Sequence, residues 1–187
     1  MRLARVIALT AALLGAFSVC AHANLLTNPG FETGDFTGWT LSGNTGFTGV
    51  STGTAHSGTF AAFLGAVGSL DFLSQTVPTT PGQSYAISFW LLSDGGTPNE
   101  FDVEFGGVTL FDQHNIPQQG YTLHTVVGTA TAATTVVAFS SRDDPGFLWL
   151  DDTTVDPVGR VPAPMTLLLV GAGLAVTATL RRRRRSA

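Results

Sequence analysis

From Asn24 to about Gly159 the chain runs in short alternating stretches cut by Gly, Pro, Asn or Asp, with no sustained helical period. Apolar residues at every second position suit a half-buried strand, because successive strand side chains point to opposite faces. Phe101-Asp102-Val103-Glu104-Phe105 is the clearest case, with aromatics and valine on a core face and carboxylates in solvent. Tyr85 to Leu92 (YAISFWLL) turns apolar on both parities toward its end, which predicts an interior strand with Trp90 in the core. Thr134 to Phe139 and Phe147 to Leu150 continue the series. Turns are expected at Thr79-Thr80-Pro81-Gly82, Ser93-Asp94-Gly95-Gly96 and Asp143-Asp144-Pro145-Gly146. About eight strands at this spacing predict an all-β chain, two antiparallel sheets packed as a jelly-roll β-sandwich over residues 24–159. A chain of 187 residues has room for one such core plus short accessory segments.

Charge narrows the partners. The chain has no lysine, and between its terminal segments only Arg142 and Arg160 oppose all 13 Asp and Glu residues. Such an acidic surface repels phosphate backbones, so a nucleic-acid partner is not expected, whereas divalent cations and neutral sugars are compatible. The catalytic inventory is thin. His56, His114 and His124 form no HxH or HExxH pattern, there is no GxSxG stretch, and nothing selects two acids for glycosidase chemistry. Asp143 and Asp144 beside Arg142 read as an ordinary polar turn. Among the aromatics, Trp39 joins Trp90 as an expected core residue. Trp149 and Tyr121 remain as the residues expected to meet a ligand.

The two ends concern location. Residues 1–23 carry a basic start (Arg2, Arg5), an apolar stretch from Val6 and the small-residue pattern Ala21-His22-Ala23, the layout of a cleaved secretory signal. Cleavage there would remove Cys20, the single cysteine, leaving no disulfide and no thiolate in the exported product. In residues 160–187, Arg160 is followed by Val161, Pro162, Ala163 and Pro164. An uncharged run, Met165 to Leu180, and the cluster Arg181, Arg182, Arg183, Arg184, Arg185 follow. As a helix, residues 165–180 would span roughly 24 Å against a hydrocarbon core of about 30 Å, short but workable for one transmembrane segment. The arginines then act as a cytoplasmic stop that leaves the acidic domain outside. This three-part arrangement resembles the PEP-CTERM sorting signal. The resemblance implies a Gram-negative envelope and processing by an exosortase-like membrane protease, although Ala163 stands where the family pattern has Glu. The localisation expected is export and anchoring in the inner membrane, then the cell surface or the extracellular matrix after processing.

The domain itself resembles carbohydrate-binding-module-like, galactose-binding-like sandwiches. The likeness rests on Asn24-Leu25-Leu26-Thr27-Asn28-Pro29-Gly30-Phe31-Glu32, Gly38-Trp39, Ser57-Gly58, Ser74-Gln75 and the closing Leu150-Asp151-Asp152. It implies a structural Ca²⁺ held by Glu32 and Asp151, with Asp152 as substitute for the latter; hard carboxylate oxygens suit that ion. Together these readings predict a non-catalytic binding or structural component of an exopolysaccharide or biofilm matrix. A lectin-like module and a small polysaccharide hydrolase or lyase are the alternatives.

Overall fold

The computed structural model describes residues 24–159, and the predicted signal peptide, sorting motif, transmembrane helix and arginine cluster all lie outside the described residues. Ten strands form: β1 (Thr40–Gly43), β2 (Thr48–Thr52), β3 (Phe60–Leu64), β4 (Asp71–Pro78), β5 (Ser84–Ser93), β6 (Asn99–Phe105), β7 (Val108–His114), β8 (Gln119–Thr129), β9 (Thr134–Asp143) and β10 (Leu148–Pro157). The count exceeds the eight or so expected, because β1 and β2 are short and largely polar. Such strands carry little apolar signal and exist through their pairing with β4 and β3.

The strands make two five-stranded sheets, ordered β1-β4-β9-β6-β7 and β2-β3-β10-β5-β8, with antiparallel neighbours throughout. Two sheets packed by their inner faces are the expected all-β sandwich. β5 alternates without a break, burying Tyr85, Ile87, Phe89, Leu91 and Ser93. β6 does the same with Phe101, Val103 and Phe105, as its alternation predicts. Phe89 touches Phe101 and Phe139 at ring separations of 5.5 and 5.7 Å, so aromatic packing joins the two sheets at their centre.

Residues 24–39 precede the first strand and close one side of the sandwich. Leu25 N donates to Val155 O at 3.1 Å, and Thr153 N donates to Pro29 O at 3.0 Å, which fastens this segment along β10. Phe31 is fully buried at a positive φ of 58°, its ring 5.7 Å from that of Trp39. Trp39 is therefore a core residue, as expected, and its indole Nε1 donates to Asn28 O. Trp90 is not. It stands at an outward position of β5, between buried Phe89 and Leu91, and the ring of His56 from a loop stacks over it. The end of β5 is apolar on both parities because Trp90 lies beneath His56 and Leu92 beside Trp149 on the outer face, which composition alone does not distinguish from core.

Candidate functional site

Three apolar side chains share one register row on the outer face of the second sheet. Trp149 on β10 lies opposite Phe63 of β3 on one side and Leu92 of β5 on the other. Each follows from alternation, since Leu148 and Leu150, Leu64, and Leu91 and Ser93 take the buried positions beside them. Phe147 extends the row, with ring separations of 5.8 Å to both Phe63 and Trp149. Beside Trp149 an open depression of about 460 Å³ is lined by Leu92, Asp94, Gln118 and Gln119 among others. The Gln119 Nε2 donor, sheltered from solvent, has no protein acceptor. A flat indole flanked by two amides and a carboxylate can stack on an apolar ring face while hydrogen-bonding the hydroxyls at its edge.

Tyr121 occupies the same outer side, but it does not line that depression. Its hydroxyl donates to Thr54 O at 2.7 Å, and its ring meets His56 edge-on at 5.3 Å. Burial, with help from the Asp151 and Asp152 charges, pushes the phenol well above its ordinary range. His56 in turn stacks on Trp90 at 3.8 Å and 18° and shares a 2.7 Å hydrogen bond with Asp152. Tyr121 and Trp90 therefore hold the 54–57 loop against the sheet. Of the two expected ligand contacts, Trp149 is the one beside the depression.

Glu32, Asp151 and Asp152 meet at one corner, where the opening segment, the 56–60 loop and β10 converge. A β-bulge between Asp151 and Thr154, with Asp152 at φ 46°, turns one carboxylate inward and lets the next stay at the surface. Asp151 Oδ2 accepts from His56 N at 2.8 Å and Ser57 N at 3.2 Å, and Oδ1 accepts from Asp152 N at 2.7 Å. Burial raises the pKa of Asp151 in spite of these bonds. Asp152 Oδ1 accepts from Ser57 Oγ, and the Glu32 carboxylate accepts from Thr59 N and Phe60 N at 3.0 to 3.1 Å. The Oδ1 atoms of Asp152 and Asp151 stand 3.4 and 3.5 Å from where a side chain on Gly30 would begin, so both border the space that this glycine leaves. Among the described residues no three His, Cys, Asp or Glu side chains are grouped as a metal-binding set.

The outer face of the first sheet is acidic. Asp102 lies opposite Ser140 on one side and Asp112 on the other, and Glu100 lies between Arg142 and His114. Partial burial first, and then the Glu100 charge, push Asp102 up to about 6, against a hydrogen bond from Ser140 Oγ. These carboxylates occupy an open sheet face, away from the depression at Trp149. Among the described residues no helix is long and apolar enough to cross a membrane.

Sequence reasoning missed Phe63, Leu92, Asp94 and Gln119 as neighbours of Trp149. Only the β3-β10-β5 pairing assembles them, and no local pattern marks that pairing. It also misread Asp143, which is fully buried rather than part of a solvated turn.

Comparison with known proteins bears on this arrangement. The sequence model described as "Carbohydrate binding domain" matches residues 23–144. No curated protein matches the chain. Among solved structures, TmCBM61 in complex with beta-1,4-galactotriose superposes with a TM-score of 0.61 at 22% identity, covering 72% of this chain and 99% of that one. The CBM22-1 xylan-binding domain of Xyn10C from Paenibacillus barcinonensis gives 0.53 at 22% identity, covering 74% and 96%. The K1 cleaved adhesin domain of Lys-gingipain from Porphyromonas gingivalis W83 gives 0.53 at 14% identity, covering 70% and 96%. At these identities the likeness is one of fold.

Proposed function

Because the chain belongs to the carbohydrate binding domain family, we propose that it is a non-catalytic module whose second-sheet face, centred on Trp149, binds a polysaccharide. The observation that carries this reading is the Phe63-Trp149-Leu92 row beside a depression edged by Asp94, Gln118 and Gln119. An aromatic platform takes up the apolar face of a pyranose, and the neighbouring amides and carboxylate fix its hydroxyls. Neutral glycans also suit an acidic surface, which repels polyanions. The ligands of the two carbohydrate-binding structures, a beta-1,4-galactotriose and xylan, make β-1,4-linked galactan and xylan the first polymers to try. Affinity electrophoresis across a polysaccharide panel tests the reading. Retardation on at least one neutral glycan, lost in Trp149→Ala, is expected; unchanged mobility on every polymer would refute it. A hydrolase or lyase draws no support from the acids of the first sheet, which lie on an open face rather than in a cleft.

The setting belongs to the same proposal. The signal-like start, the Val161–Pro164 motif, residues 165–180 and Arg181–Arg185 support export, anchoring by a C-terminal helix and processing by an exosortase-like protease, with a role in an exopolysaccharide or biofilm matrix. Intact-mass measurement of the mature protein from its native cell is expected to find residues 1–23 absent and a cut near the Pro-Ala-Pro motif. A mass equal to the whole chain would overturn both cleavages. We also propose Ca²⁺ at the Glu32, Asp151 and Asp152 corner, supported by the two Oδ1 atoms that border the space at Gly30. The ion would add to a clamp that hydrogen bonds already make. A thermal melt of Asp151→Asn with the same response to chelator as the unaltered protein would remove it.

A further inference from the structure

Asp143 ends β9 with no solvent exposure, and no protein donor reaches either of its carboxylate oxygens. Burying a carboxylate this way is costly, and a native fold normally supplies hydrogen bonds or a counter-charge in return. The neighbouring guanidinium does not supply it. Arg142 points to the opposite face of β9, opposite Glu100, and is engaged by the carboxylate of Asp144. Asp144 spends its other oxygen on Gly68 N. The remaining charged neighbour, Asp94, is also negative, and its two oxygens accept from Gly96 N at 2.9 Å and Phe147 N at 2.8 Å.

What lies around Asp143 is oxygen. A side chain starting at Gly146 would meet Asp143 Oδ1 at 2.7 Å and Asp94 Oδ1 at 2.6 Å. One starting at Gly96 would meet Asp143 Oδ1 at 2.7 Å together with the Pro145 carbonyl oxygen. Both oxygens border the same glycine, which places them near enough to one another to be bridged by an ion that holds its ligands at about 2.3 to 2.6 Å. Both positions are glycine, so no β-carbon fills the space. The β5–β6 and β9–β10 loops that carry these groups are already joined by Asp94 N to Phe147 O and Asp144 N to Pro98 O.

We propose that Asp143, Asp94 and the Pro145 carbonyl form a binding site for a divalent oxygen-seeking cation of the Ca²⁺ class, which fastens the β9–β10 loop to the β5–β6 loop. Two carboxylates and a carbonyl supply three of the six to eight oxygen ligands such an ion takes. The site is separate from the Glu32, Asp151 and Asp152 corner and does not depend on the glycan reading. Since Asp94 also edges the depression at Trp149, an ion here would fix one wall of that surface.

The test uses the full chain and Ca²⁺ itself, by calorimetry and by thermal melting in Ca²⁺ and in chelator. Asp143→Asn is expected to bind one ion fewer, or that ion about tenfold more weakly, and to lose its part of the Ca²⁺-induced rise in melting temperature. In chelator, Asp143→Asn is expected to melt at or above the unaltered protein, because a buried unpaired charge has gone; a merely structural aspartate would do the opposite. Asp151→Asn is expected to leave this ion in place. Gly146→Ala, which puts a methyl among the oxygens but keeps the charge, is expected to lose the ion as well and serves if Asp143→Asn does not fold. Unchanged calcium stoichiometry and affinity in either folded variant would overturn the site, as would an unaltered chain whose melting temperature is the same in Ca²⁺ and in chelator.

Discussion

At one corner of the sandwich Asp151 spreads its two oxygens over three backbone N–H groups, while at another Asp143 ends a strand with no protein donor on either oxygen. Both side chains are fully buried, and both have a pKa raised first by that burial. The difference lies in what the surrounding backbone does. Around Asp151 the 56–60 loop turns its N–H groups toward the carboxylates, so the acid serves as the acceptor that shapes a loop. Around Asp143 the two loops turn oxygens inward instead, and negative charge is left facing negative charge. A carboxylate met by donors explains its own burial; one met by acceptors calls for a cation or a proton.

The largest effect is expected at the satisfied corner. Asp151→Ala would strand the His56 and Ser57 N–H groups and free that loop from β10, which should cost about 3 kcal/mol in urea denaturation measured in chelator. A loss well under about 1 kcal/mol would mean that those hydrogen bonds do not hold the corner.

Trp149→Ala comes next, with glycan affinity down about tenfold or more and unfolding free energy changed by about 1 kcal/mol or less, since the ring is partly exposed. Equal losses of affinity and stability would mean that the tryptophan is structural.

The pH response separates the corners more finely. Asp143 stands at about 6 in the fold, pushed up by burial and then by Asp94 and Asp144, against 3.8 for a free aspartate. Protonation therefore favours the folded state: in chelator this contribution is fully present below the free value and is lost as pH rises through about 6. Asp102 adds a contribution of the same sign over the same range. Stability measured in chelator from pH 4 to 7 should therefore fall, and less steeply in Asp143→Asn. Saturating Ca²⁺ should flatten the Asp143 share. A slope identical in the variant would deny Asp143 its role.

The smallest effect is expected from Tyr121→Phe, which removes the bond to Thr54 O and should cost about 1 kcal/mol with glycan affinity unchanged. A large loss of affinity would move the binding surface from Trp149 toward Tyr121.

Much of the sandwich was legible along the chain. Alternation in β5 and β6 and the Pro-Gly and Asp-Gly turns follow from chain geometry, where each residue reports only on its own neighbours. The opening segment, Trp39 and the Asp151–Asp152 pair were likewise visible as a resemblance. Trp90 was misplaced because an apolar outward residue under His56 reads like a core residue. Asp143 was misplaced because Asp-Asp-Pro-Gly has the composition of a solvated turn, and nothing local records that the 94–98 loop closes over it.

The sequence by itself determined which residues alternate, where the chain turns and how acidic the domain is, because periodicity, turn chemistry and charge are local or additive properties. The tertiary structure alone decided that Trp149 stands in a row with Phe63 and Leu92, and that Asp143 meets oxygens where Asp151 meets N–H groups. Those outcomes depend on which strands pair and which loops are brought face to face, and that is fixed by the packing of the two sheets as a whole.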